Sequence, residues 1–171
     1  MKSIALILAT IFSLSACAGF KSSIPETYAG PKSVIKDSVN MHSDSKGDFF
    51  YVDAVDGNDI EQSRSATLAA NRNRGMRMTP RILQREVPAR PIKLSIVGRT
   101  EYAAPILAMV NTVYQVKGVV EFTPEKDKTY IVRGDLGNSY SAVWIEEESS
   151  KNLIGQKFEI HGPAKLGFLG K

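Results

Sequence analysis

The sequence predicts a mainly β protein, a single antiparallel β-sandwich interrupted by a long arginine-rich loop. Three observations carry this expectation. Short runs rich in β-branched and aromatic residues recur at close spacing, separated by Asp-Gly, Pro and Asn-containing turn signals. One stretch, residues 66–90, lacks strand character and is dense in arginine. The chain has a single cysteine, so packing and not disulfides must hold the fold.

The elements follow in order. Residues 18–32 (AGFKSSIPETYAGPK) are rich in small residues, Pro and Gly without periodicity, and read as a flexible tether. Residues 33–39 form a weak, edge-type strand. Residues 49–55 (FFYVDAV) form a strong one that runs into the Asp56-Gly57 turn, with 59–65 as the returning strand. In 66–90, a helical turn at 66–71 is broken at Asn73-Arg74-Gly75, and Thr79-Pro80 favours extended chain. A loop of that length in a compact domain tends to carry function. Strands resume at 92–97 (IKLSIV), which alternates, at the apolar 104–110, and at 112–122 (TVYQVKGVVEF), where Gly118 marks a bend or bulge. They continue at 128–133 (KTYIVR), 140–146 (YSAVWIE) and 157–160 (KFEI). Val119, Phe122, Tyr130, Val132, Val143 and Ile145 are the expected core, with Trp144 on the face opposite Val143 and Ile145.

The N-terminus carries an address. Lys2 precedes an apolar run from Ile4 to Leu14, too short to span a bilayer, and small residues lead to Cys17. Leu14-Ser15-Ala16-Cys17 resembles the lipobox of bacterial lipoproteins. That resemblance implies a signal peptide over 1–16, lipidation at Cys17, a tether over 17–32 and a domain over 33–171. Ala18 follows the cysteine where an aspartate would signal inner-membrane retention in Gram-negative lipoproteins. The implied location is the outer membrane, anchored by lipid and facing the periplasm.

Charge is unevenly placed. The net charge is +4, yet eight of the nine arginines lie between Arg64 and Arg99, with Lys93, against one acid, Glu86. Guanidinium groups fork onto phosphates and carboxylates. Arg72, Arg74, Arg77, Arg81 and Arg85 are therefore the candidate contacts for an anionic envelope component or a protein partner. The competing explanation is a solvated loop whose arginines pair with Glu146, Glu147, Glu148 and other acids of the domain. Nucleic acid is disfavoured, because export removes the chain from the cytoplasm and no aromatic residues interleave with these arginines.

Other candidate chemistry is thin. With Cys17 lipidated and only His42 and His161 present, neither a zinc site nor a catalytic pair has its materials, and no metal or cofactor is expected. Asp53, Asp56 and Asp59 recur around Gly57, but turn chemistry explains them without calcium. The adjacent Glu146, Glu147 and Glu148 alternate in direction along a strand and offer no facing carboxylate pair for glycoside chemistry. Tyr140 and Trp144 would serve either as a sugar-stacking platform or as core. The tail at 166–170 (LGFLG) is apolar for a terminus.

A second resemblance joins these elements. Phe50-Tyr51-Val52 leading to Val55-Asp56-Gly57, Val87-Pro88-Ala89 before Ile92-Lys93-Leu94-Ser95-Ile96, and Phe122-x-Pro124-x-x-x-Lys128-x-Tyr130 look like PEGA-type modules and related small lipoproteins. The sequence departs from them at Arg90-Pro91, where a turn glycine is usual, and in the arginine-rich stretch. The resemblance implies an Ig-like or transthyretin-like sandwich that binds or builds and does not catalyse. The expected function is a lipid-anchored, non-catalytic envelope module that binds a protein partner or an anionic envelope component, an accessory subunit of an envelope complex among its roles. A cell-wall hydrolase and an inhibitor or immunity-type lipoprotein are the alternatives.

Overall fold

A computed structural model describes residues 21–167 and Gly170. Cys17 and the segment read as a signal peptide lie outside the described residues. Two sheets pack face to face around one core, as a β-sandwich. The first five strands and the first helix are β1 (Lys32–Lys36), β2 (Ser38–Ser43), β3 (Lys46–Val55), β4 (Asn58–Asp59), α1 (Ser63–Ala70) and β5 (Gln84–Pro88). Then follow β6 (Ile92–Tyr102), α2 (Pro105–Val110), β7 (Gln115–Phe122), β8 (Thr129–Leu136), β9 (Tyr140–Glu147) and β10 (Leu153–His161). One sheet runs β10-β9-β8-β1-β5; the other runs β2-β3-β6-β7, with β4 paired to β3. Pairing is antiparallel except between β1 and β8, which lie parallel.

The core comes from alternation. Phe50, Val52, Leu94, Ile96, Val116 and Val120 of one sheet meet Ile35, Tyr130, Val132, Val143 and Ile145 of the other. Each such side chain contributes about 1.5–3 kcal/mol when fully buried. The register of β3 against β6 shifts between Val52 and Ala54, so Asp53 is an extra residue. That shift keeps both Val52 and Val55 in the core and turns Asp53 out to Lys117 Nζ at 2.8 Å. The outer face of β3 is buried too. Phe49 and Tyr51 pack with Val97 under Met78, which the 71–83 segment lays across the sheet.

Several sequence expectations are corrected. Residues 33–39 are not one strand: Asp37 divides them between β1 and β2, which belong to different sheets. The return expected over 59–65 stops after β4, because α1 starts at Ser63, capped by Gln62 Oε1 accepting from Ser65 N at 2.9 Å. The loop expected over 66–90 is shorter, since α1 and β5 take its ends. Residues 104–110 form helix α2, with Pro105 in its first turn, and not a strand. Val119 is 51 % exposed because it lies on the opposite pleat from Val116 and Val120. Gly118 is no bulge; it pairs in regular register with Ile96. Trp144 does face away from the buried Val143 and Ile145. Residues 21–31, within the segment read as a tether, run along the domain. Lys21 N donates to Asp59 O at 3.1 Å, and Ser23 Oγ donates to Glu86 O at 2.7 Å.

Candidate binding face

The arginines divide by what holds them. Arg85 is fixed inside the domain: its two terminal nitrogens donate to both oxygens of Asp37 at 2.7 Å. Its side chain is 9 % exposed, and Asp37 is fully enclosed. Arg77 pairs with Asp44 at 2.8 Å, with both groups mostly in solvent, a contact worth little. Arg90 reaches Asp56 at 2.8 Å. Arg64 and Arg99 share one carboxylate, Glu101. The acids that neutralise these arginines are therefore Asp37, Asp44, Asp56 and Glu101. Glu146, Glu147 and Glu148 are engaged elsewhere, by Arg133, Lys128 and Lys36.

Arg72, Arg74 and Arg81 remain. All three are exposed, and none forms an ion pair with a described residue. Their segment is nevertheless ordered by the chain. Asn71 Nδ2 donates to Thr67 O and Thr79 O, each at 2.8 Å, and Asn71 Oδ1 accepts from Thr79 N at 2.9 Å. This clip closes the 72–78 loop at its base. Arg74 N donates to Asn71 O at 3.0 Å, forming a turn whose tip uses left-handed backbone at Asn73 (φ 65°) and Gly75 (φ 70°). Thr67 Oγ1 accepts from Arg81 N at 2.8 Å and anchors the far side.

A groove of about 900 Å³ opens beside this turn, between α1 and α2. Leu68, Ala104, Pro105, Ala108 and Met109 give it apolar walls, while Arg64, Arg72, Arg99 and Glu101 stand at its polar side. Burial acts most strongly and lowers the Arg64 pKa, but the charge and hydrogen bond of Glu101, with smaller help from Tyr51 and Asp53, together outweigh it and leave the group raised. Arg64 is a cation throughout the working range. Burial pushes the nearby Tyr51 phenol up, so it stays neutral.

The remaining candidates are placed as follows. Asp56 holds the β3–β4 turn by accepting from Lys93 N at 2.9 Å, and Asp53 pairs with Lys117. Among the described residues, no three His, Cys, Asp or Glu side chains come together as a metal site. His42 Nε2 lies 2.6 Å from Asp48 Oδ2, while Thr100 Oγ1 donates to Asp48 Oδ1 at 2.6 Å. The hydroxyl thus meets the carboxylate and not the imidazole, which is not the nucleophile–base contact. His161 is exposed, with its ring 5.4 Å from that of Tyr140. Tyr140 and Trp144 lie on the outer face of β9, and Lys157 Nζ sits 4.5 Å from the Trp144 ring centre and 5.2 Å from that of Tyr140. The tail lies beside β7 through a Tyr114–Lys165 bridge, and residues 168 and 169 are outside the described residues.

The sequence pointed to the arginine segment but not to its partner wall. Helix α2 and the groove arise from the return of β6 toward β7, for which a short apolar run gives no signal. No family model, no curated protein and no solved structure matches this chain.

Proposed function

We propose that this chain is a lipid-anchored, non-catalytic envelope module whose arginine turn binds a protein partner or an anionic envelope component. The anchor rests on Leu14-Ser15-Ala16-Cys17, and the proposed location is the outer membrane, facing the periplasm. The observation that carries the binding role is that Arg72, Arg74 and Arg81 stay exposed without ion pairs on a segment clipped by Asn71. Surplus cations on an ordered loop favour phosphate or carboxylate ligands, because little ordering entropy remains to be lost on binding. Arg85 leaves the contact set, since Asp37 occupies its guanidinium, and Arg77 is a weaker member for its pairing with Asp44.

Two experiments test this reading. Cys17→Ser should abolish lipid attachment and the cleavage that depends on it, read by mass spectrometry of the envelope-bound protein; an unchanged mature species removes the lipoprotein assignment. Crosslinking in envelopes, wild type beside Arg72→Ser/Arg74→Ser/Arg81→Ser, should lose a specific adduct in the variant. An identical adduct pattern would remove the protein partner and leave only the anionic component.

A further inference from the structure

Helix α2 presents to solvent the stripe a surface helix normally turns inward. Its sequence, PILAMV, has no polar side chain, and none of its residues is buried. Ile106, Met109 and Val110 stand at i, i+3 and i+4 and are 52, 50 and 72 % exposed. The helix is held by its flanks: Tyr102 Oη donates to Thr112 O at 2.9 Å, and Leu166 N donates to Val113 O at 2.9 Å. Across the groove Leu68 is 36 % exposed, and Met76, next to Gly75 of the groove wall, is 54 % exposed.

The segments that build this face are rich in cations and poor in acids, and the exposed Asp44 on the neighbouring hairpin is already paired with Arg77. No acid occurs between Glu61 and Glu86, or between Glu101 and Glu121. Glu101 itself is shared by Arg64 and Arg99, so Arg72, on the groove wall facing α2, and Arg74, two residues further along the turn, stand without a counter-charge. Exposed apolar side chains bordered by unpaired arginines match the boundary between acyl chains and anionic headgroups.

We infer that α2 and the 71–76 turn form a membrane-contact face for an anionic phospholipid bilayer, with Ile106, Met109 and Val110 entering the acyl boundary and Arg72 and Arg74 on the phosphates. This narrows the anionic branch of the function proposed above, and the test removes the acyl anchor so that the two can fail separately. Full-length Cys17→Ser protein is mixed with vesicles of phosphatidylglycerol and phosphatidylethanolamine, or of phosphatidylcholine alone, and sedimented. It should bind the anionic vesicles more tightly, and added salt should weaken that binding. In this background Arg72→Ser/Arg74→Ser should cost about 25-fold on anionic vesicles, at roughly fivefold per arginine, and leave phosphatidylcholine binding unchanged. Ile106→Ser/Met109→Ser/Val110→Ser should weaken binding to both. An environment-sensitive dye on Met109→Cys, the one thiol in that background, should shift to the blue with anionic vesicles, a readout independent of the triple variant's folding.

Three results would overturn the inference. The parent does not sediment with anionic vesicles; both variants sediment as the parent does and the dye does not shift, assigning the binding to the apolar leader; or, without vesicles, the parent self-associates and the α2 variant does not, assigning the face to a second copy.

Discussion

At Asp37 the chain leaves one sheet for the other, and the carboxylate there joins four segments. It accepts from Arg85 twice, from Val52 N at 3.1 Å, from Ser63 N at 2.9 Å and from Ser63 Oγ at 2.8 Å. Ser63 Oγ in turn accepts from Leu83 N at 2.7 Å. Removing Arg85 strands a buried charge, at a cost of about 3–5 kcal/mol. Arg85→Ser should therefore lower the denaturation midpoint sharply, whereas Arg72→Ser should change stability by no more than about 0.5 kcal/mol. Urea titration of the two variants side by side checks the distinction. Composition marked both arginines alike, because nothing local tells which of them meets an acid 48 positions away. A second residue-scale prediction concerns pH. Hydrogen bonds from Tyr140 and then Lys157 hold Glu159 below the ordinary value of 4.5. A carboxylate with a lowered folded pKa stabilises the fold above its unfolded pKa and loses that contribution as pH falls through the folded one. Emission of Trp144, the only tryptophan and in contact with Lys157, should change below pH 4.5, and Glu159→Gln should remove the step.

Between elements, the close approach of β7 to β10 depends on a missing side chain. A Cβ at Gly118 would stand 2.1 Å from Cγ of Phe158, the ring that packs against the core from β10. Gly118→Ala should destabilise by about 1–3 kcal/mol through overpacking. Combining it with Phe158→Leu should give a cost smaller than the sum of the two single changes, which thermal melts of the three variants would measure. Reading Gly118 as a bend located the right residue for the wrong reason, because its use is visible only once β10 lies over it. Strands β6, β8 and β9 were legible because short β-branched and aromatic runs follow turn residues, and the start of β6, 92–97, also alternates. Helix α2 was not, since a six-residue apolar run has the same composition as a buried strand and only Pro105 separates the two. Helix α1 was legible only in part, as the helical turn at 66–71; its start lies three residues earlier, at Ser63, whose N donates to Asp37, 26 positions away.

Across the whole molecule, sheet order matters more than strand count. β1 sits inside its sheet, with β5 on one side and β8 on the other, and its Ile35 is fully buried. A chain ending at Phe122 lacks β8, β9 and β10 and so leaves most of one sheet unbuilt. It should show no cooperative thermal transition and be digested rapidly by protease. The groove and the arginine turn are made by β6, α1 and α2, yet that truncation should abolish their shape along with the core. The parallel pairing of Val34 with Thr129 also sets a timetable. Joining such distant positions requires closing a long loop before the contact is gained, which makes assembly slow compared with hairpins. Delivered N-terminus first, β1 can pair with β5 but keeps its other edge open until β8 arrives, and in that interval the open edge invites pairing with neighbouring chains. Escort by a holding chaperone until the last third of the chain is released would serve this topology better than folding as it emerges.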